Sequence, residues 1–319
     1  MLQLKMKKQE EKISKIIYDL VIIGGGPAGL TAGIYAGRAR LKTVIIEEII
    51  TGGQSATTEL LENYPGFKDG VGGMDLAMIM TEQVKRFGTE IIYGKVISTK
   101  LTGEIKDIYF ASSMIKAKAV IIASGAIPRK IKAEGADKFH GRGISYCATC
   151  DGALFHDKKI VIVGAGNSAI EEGIFLQRFT KDITFVQDLP YLTAEKILQE
   201  RIKNYPDTKF YLGTIIKSIN GEERVESVTA RTVKENKEFE IPADGVFVYI
   251  GYIPKTDFLD KGLKLDGQGY IVTDENLKTN LDGVFAAGDV RVKDLRQVIT
   301  AASDGAIAAH SVEKYLENK

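Results

Sequence analysis

The chain is poor in the residues that build metal sites and covalent staples. It has two cysteines and three histidines. Two sulfurs cannot complete a four-cysteine zinc site, and His140, His156 and His310 are too scattered to make up the deficit. The same count excludes the disulfide-stapled scaffold of a small secreted domain. Long apolar runs are missing as well: no stretch reaches the ~18 residues needed to span a bilayer. Charge of one sign is also missing. Forty-three basic residues face 42 acidic ones, a net charge of +1, so the bulk charge implies neither nucleic acid nor an anionic membrane as partner. The segment MLQLKMKKQEEKISK is too charged for a secretory core. An N-terminal extension is expected over residues 1–17, and the expected compartment is the cytoplasm.

What is present is a design written twice. With 319 residues, 44% hydrophobic and 27% charged, the chain is an ordinary globular protein of about two domains. YDLVIIGGGPAGLTAGIYAGRARLKTVIIEE starts at Tyr18, and KKIVIVGAGNSAIEEGIFLQRFTKDITFVQD starts at Lys158. Each has a β-branched run, a glycine-rich turn, a helical stretch and a second apolar run, which is a βαβ unit. The expected fold class is therefore α/β, with two Rossmann-like three-layer dinucleotide-binding domains. Two further buried strands, AVIIA at Ala119 and VFVYI at Val246, run into the turns Gly125-Ala-Ile-Pro128 and Gly251-Tyr-Ile-Pro254. These turns bracket the second βαβ unit and mark crossings near 127 and 255. The expected division is a discontinuous FAD-binding domain over 18–126 and 256–319, and a nucleotide-binding-like domain over 127–255 that carries both cysteines. Gly73 to Phe87 is predicted helical, with Leu76, Ile79, Met80, Val84 and Phe87 on one face and its methionines filling core.

Gly24, Gly26 and Gly29 match G-x-G-x-x-G between a strand and a helix, with Pro27 and Ala28 inside the motif. The glycines permit the tight turn, backbone access to a pyrophosphate, and close helix–strand packing. The helix N-terminus favours the anion. Glu47 ends the second strand, where a carboxylate can accept both hydrogens of a ribose diol. Asp289, after Gly288 at another strand end, suits the hydroxyls of a ribityl chain and so favours FAD over NAD.

Cys147 and Cys150 form a single C-x-x-C in SYCATCDGALF, with a helix expected after them. Such a pair can close a small ring and share a stabilised thiolate. Asp151 is expected as a proton donor to a departing thiolate, as an N-cap, or as both. There is no third cysteine to relay electrons outward. A dithiol that must meet both a flavin and an outside acceptor therefore needs its domain to move about the paired crossings.

With these motifs together, the sequence resembles the low-molecular-weight thioredoxin reductases over nearly its whole length. The resemblance rests on GGGPAG, GGQ at Gly52 to Gln54, ENYPGF at Glu62, CATCDG, GAGNSA, AAGDV and RQVIT at Arg296. It implies FAD, a homodimer, reduction of a thioredoxin or glutaredoxin-like protein, and rotation of one domain during turnover. It also implies that Gly52, Gly53 and Gln54 lie near the FAD phosphates and flavin, and Asn63 near the flavin ring. Asp289 would bind the ribityl chain, and Gln297 with Val298 would face the pyrimidine end beside Arg296. Cys150 would be the sulfur beside the flavin, Cys147 would attack thioredoxin, and Asp151 would be the acid.

The departure from that family lies in the second nucleotide unit. Gly164, Gly166 and Ala169, with Asn167 and Ser168 between them, keep a G-x-G-x-x-A turn. NADPH-using members follow the next strand with His-Arg-Arg and another arginine four residues after the second of those arginines. Here the four positions read Gln187, Asp188, Leu189 and Thr193. At ~1.5–3 kcal/mol per charge-assisted bond, losing two or three costs ~3–6 kcal/mol, on the order of 10²–10⁴-fold in affinity for a 2′-phosphate. Asp188 suits the free 2′-hydroxyl of NADH instead. Three donor readings stay open: NADH, NADPH held by other contacts, and ferredoxin or a deazaflavin. A flavin-dependent dithiol oxidase using oxygen and a non-catalytic flavin redox sensor are the competing functions.

Overall fold

A computed structural model describes residues 16–319 apart from 111 and 112. The expected N-terminal extension lies, up to residue 15, outside the described residues. Two compact units emerge: the residues up to Ile127 together with Ile253–Lys319, and Pro128–Tyr252.

The first unit opens with β1 (Ile17–Ile23), α1 (Pro27–Arg38) and β2 (Thr43–Glu47), followed by α2 (Gly73–Arg86) and β3 (Glu90–Tyr93). A meander of β4 (Val96–Lys100), β5 (Lys106–Phe110) and β6 (Ser113–Ile122) follows, and the chain leaves through β7 (Ala126–Pro128). The second unit contains β8 (Ile144–Ser145), α3 (Ala148–Asp151), β9 (Ile160–Val163), α4 (Asn167–Leu176), β10 (Ile183–Gln187), α5 (Lys196–Ile202) and β11 (Lys209–Leu212). Its antiparallel meander is β12 (Thr214–Asn220), β13 (Ser227–Thr232) and β14 (Glu238–Pro242), and β15 (Gly245–Val248) closes the unit. The chain returns along β16 (Tyr252–Pro254), which pairs with β7, and finishes the first unit with β17 (Val284–Ala286) and α6 (Val298–Glu317).

Both units are built on a parallel sheet with the same winding. The first has strand order β3-β2-β1-β6, extended by β5, β4 and β17; the second has β11-β10-β9-β15-β8. Strands buried on both faces need continuous apolar runs, which explains Leu20 to Ile23, Val44 to Ile46 and Ile160 to Val163. In the first unit Leu20, Ile22, Ile45 and Ile121 face the helices, while Val21, Ile23, Val44 and Val120 build a second core on the other side. The second unit repeats the arrangement, with Ile160, Ile162 and Phe185 facing its helices and Val161, Val163 and Val186 facing the meander side. Helix α6 meets α1 backbone to backbone: a Cβ on Gly305 would lie 2.1 Å from the Ala28 carbonyl oxygen. Among the described residues no helix is long and apolar enough to cross a membrane.

Helix α2 forms where expected and buries Leu76, Met80 and Val84 as expected, but the buried stripe widens toward Ala77 and Thr81 and leaves Ile79 outside. Leu76, Ala77, Met80, Thr81 and Val84 are its buried residues besides Gly73, whereas Ile79, Met74 and Met78 are exposed. Positions 76, 80 and 84 advance around the helix toward 77 and 81, which carries 79 off the buried face. Of the three methionines, Met80 alone fills core.

Candidate active site

In the first unit the turn after β1 accepts only glycine at two points. Gly24 has φ +107°, and a Cβ there would lie 2.3 Å from the Ala123 carbonyl oxygen. A Cβ at Gly29 would lie 1.9 Å from the Gly24 carbonyl oxygen, so the start of α1 sits directly on the strand end. Above Gly26 nothing lies within 4 Å, which leaves the turn open on that side. Pro27 occupies the first turn of α1, where its missing N–H costs nothing, and Ala28 is buried. Glu47, at the end of β2, accepts the Gly25 N–H at 2.6 Å and the Ile49 N–H at 3.0 Å, which locks its carboxylate beside the turn. Gly52 donates its N–H to the Gly25 carbonyl at 2.7 Å. Gly53 follows in the left-handed region, and the Gln54 amide donates to the Ala126 carbonyl.

A second cluster of the same unit comes from the C-terminal segment. Gly288–Val290 is a 3-10 turn directly after β17 and holds Asp289. The Asp289 Oδ1 atom is buried and has no hydrogen-bond partner. Burial raises the pKa of this carboxyl, and the Asp304 charge adds to the rise, against the pull of Lys293 and Arg296. Arg296 lies over the Tyr270 ring at 4.3 Å with a buried, unpaired Nε. Gln297 caps α6 in a reciprocal box with Thr300 and accepts the Asn63 side-chain N–H at 3.0 Å, with Val298 next to it at the helix start. An open glycine turn at a helix N-terminus, a locked strand-end carboxylate and a buried carboxylate lacking a donor are what the pyrophosphate, ribose and ribityl hydroxyls of FAD require. The residues present fit that group.

In the second unit Cys147 and Cys150 form a disulfide. Helix α3 begins between them, not after them, because Cys147 is itself the N-cap: its Sγ accepts the Cys150 N–H at 3.2 Å. Asp151 ends α3 and stands at the N-cap position of the 3-10 turn Gly152–Phe155, but its carboxylate makes no cap bond there. Its Oδ2 accepts the Ser145 hydroxyl at 2.6 Å, and Ser145 Oγ accepts the Cys147 N–H at 3.1 Å. Tyr249 Oη accepts the N–H of Ala148, between the two cysteines, at 3.0 Å. Burial drives the Tyr249 phenol pKa upward, helped by the charges of Glu172 and Asp151. Ser145 and Tyr249 went unnoticed in the sequence. The only hint was a serine two places before Cys147, a pattern with no meaning until the chain folds.

The second glycine turn is intact. Gly164 has φ +110°, with a Cβ position 2.2 Å from the Tyr249 carbonyl oxygen, and Ala169 is buried at the start of α4. Asn167 and Glu195 exchange hydrogen bonds at 2.9 and 2.8 Å, and Ser168 stands between Asn167 and Ala169, half-buried. Gln187 is buried at the end of β10, whereas Asp188 is exposed and Tyr191 keeps 57% of its surface.

Residues 18–305 match the family model described as pyridine nucleotide-disulphide oxidoreductase. A thioredoxin reductase of Peptoclostridium acidaminophilum is 45% identical over 307 residues, which cover 94% of this chain and 98% of the relative. The crystal structure of Lactococcus lactis thioredoxin reductase matches with a TM-score of 0.92 at 38% identity, covering 95% of this chain and all of that one. The crystal structure of T. acidophilum thioredoxin reductase matches with a TM-score of 0.89 at 35% identity, covering 93% of this chain and 98% of that one. With matches this long, and with the glycine turns and the paired cysteines in place, the chain belongs to the pyridine nucleotide-disulphide oxidoreductases, in the low-molecular-weight thioredoxin reductase branch.

Proposed function

We propose that this chain is an FAD-dependent thioredoxin reductase, which passes two electrons from a nicotinamide donor through Cys147 and Cys150 to the disulfide of thioredoxin or a similar small protein. The observation that carries the reading is the Cys147–Cys150 disulfide, which has Asp151 beside it, in a chain so close to named thioredoxin reductases. Bound FAD supplies a carrier that exchanges electron pairs with both nicotinamides and disulfides. Gly24 to Gly29 hold its pyrophosphate, Glu47 its ribose and Asp289 its ribityl chain. Gly52, Gly53, Gln54, Asn63, Arg296, Gln297 and Val298 surround the remainder.

Reduction of the pair consumes two electrons and breaks the S–S bond. Cys150 would be the sulfur that takes the electrons from bound FAD, and Asp151 would protonate the departing sulfur. The Cys147 thiolate then attacks the thioredoxin disulfide and displaces one of its sulfurs. Cys150 attacks Cys147 in turn, releases the second sulfur and restores the disulfide. With no third cysteine as relay, the cysteine-bearing domain, 127–255, has to move against the FAD domain, 18–126 with 256–319, between these steps. A homodimer in the cytoplasm, where a thiol couple stays reduced, completes the reading.

Asp188 favours NADH as donor. It is exposed at the strand end after the glycine turn, where a carboxylate accepts a ribose hydroxyl and repels a 2′-phosphate. Anaerobic mixing of the oxidised holoenzyme with NADH, NADPH, reduced ferredoxin and reduced deazaflavin separates the donors by bleaching of the flavin. NADH is expected to bleach fastest, followed by loss of the thioredoxin disulfide. Bleaching by ferredoxin alone would remove the nicotinamide from the scheme, and rapid peroxide release coupled to dithiol loss would make the protein an oxidase.

A further inference from the structure

Asp304, on α6, is 4% exposed and accepts four donors from one short segment. These are the Gly288 N–H at 2.9 Å, Arg291 Nε and Nη2 at 2.8 Å each, and Lys293 Nζ at 2.9 Å. Within that segment stands Asp289, whose buried Oδ1 has no hydrogen-bond partner. Two carboxylates thus share one neighbourhood, and the cations are committed to the one farther along the chain. The Lys293 side chain is 7% exposed, so its ammonium must be neutralised inside the protein. Its positive charge also reaches Asp289. Burial pushes the Asp304 pKa up, but hydrogen bonds from Arg291 and Lys293 outweigh it and hold the group below the usual carboxylate range.

We propose that Asp304 is a positioning residue of the flavin site: by holding the Lys293 ammonium it keeps the Asp289 carboxylate free to accept cofactor hydroxyls. The inference rests on Asp289 as the acceptor for the ribityl chain. A carboxylate already paired with a buried ammonium must break that pair before it can bind a polyol, and the pairing equilibrium subtracts directly from affinity. Asp304 removes that competitor and also tethers the 3-10 turn through the Gly288 N–H.

The test measures the Kd of FAD for the apoprotein, by quenching of flavin fluorescence, in the wild type, D304N, K293M and D304N/K293M. Asparagine keeps the shape of the side chain and removes its charge. FAD binding to D304N is expected to weaken by about tenfold or more, as Lys293 turns to Asp289. The double variant is expected to recover most of that loss, because the competing ammonium is gone, and K293M alone is expected to bind like the wild type. Equal weakening of D304N and the double variant would mean a structural tether only and overturns the proposal, as does an unchanged D304N. If D304N alone does not fold, the double variant is compared with K293M: equal affinity is expected, and a tenfold loss overturns the proposal. A wild-type apoprotein that takes up no FAD would overturn the flavin reading together with this inference, whereas normal wild-type uptake with an unaltered D304N overturns the inference alone.

Discussion

Gly24 and Gly164 open two turns that are almost superimposable in their bonding. Each glycine donates its N–H at 2.8 Å to the neighbouring strand, to Ile46 in one turn and Val186 in the other. Each has a Cβ position blocked by a carbonyl, Ala123 at 2.3 Å and Tyr249 at 2.2 Å. Each is followed by a residue whose carbonyl accepts an N–H from beyond the second strand: Gly52 donates to Gly25 at 2.7 Å, and Thr193 to Ala165 at 3.0 Å. The turns differ in the strand-end side chain. A Cβ at Gly25 would stand 3.0 Å from Glu47 Oε2, so glycine makes room for that carboxylate. The second turn has a buried alanine at 165 and neutral Gln187 at the strand end, with its carboxylate one place later at Asp188. Two nearly identical backbones therefore present different side chains at the strand end, a carboxylate in the first unit and a neutral amide in the second.

The third motif position separates the two turns most sharply. Gly29→Ala gives the first turn the residue that the second has at Ala169. Its methyl would meet the Gly24 carbonyl oxygen at 1.9 Å, so stability is expected to fall by about 3 kcal/mol and bound flavin to be lost, as read by thermal melting and by absorbance of the purified protein. The reverse change, Ala169→Gly, is expected to cost only ~0.5–1 kcal/mol. Next in size, Asp188→Arg with Leu189→Arg supplies two cations at the second strand end. It is expected to raise kcat/KM for NADPH by about 10²-fold and lower that for NADH, measured by steady-state kinetics. No gain for NADPH would mean that Pro190 or Tyr191 blocks the site. Glu47→Gln tests whether the first strand end owes its selectivity to charge, and about a tenfold loss of FAD affinity is expected by fluorescence titration.

The smallest effect concerns pH. The folded-state pKa of Asp289 is raised, chiefly by burial. A raised carboxyl contributes stability below its unfolded pKa, and this is lost as pH rises through the folded value, so the ionised group costs the apoprotein stability at neutral pH. Asp289→Asn is therefore expected to raise the apoprotein Tm slightly at pH 7 and leave it unchanged at low pH, while FAD uptake falls. A lower Tm at pH 7 would place the cost elsewhere.

Much of the site could be read directly because its constraints are local. Glycine at 24, 29 and 164 follows from the sterics of a strand–turn–helix, and the C-x-x-C spacing brings its own sulfurs together. Periodicity places Ile79 on the apolar face of α2, but it does not say which edge of an apolar stripe meets a neighbour, and Ile79 is exposed. The contacts of Ser145 and Tyr249 with the cysteine segment have no local signature for another reason. Tyr249 reaches the N–H of Ala148 across a separation of 101 residues, and nothing in either local sequence marks the other.

The order of residues along this chain settles which backbone turns form and which chemistry they can present: two glycine turns, one dithiol and carboxylates at three strand ends. Tertiary structure decides which charged groups remain uncommitted. The charge of Lys293 reaches both Asp289 and Asp304, and the packing of α6 against the segment after β17 gives its ammonium to Asp304. Steric rules act between neighbours in sequence, whereas the pairing of buried charges is an equilibrium among all groups that the fold brings together.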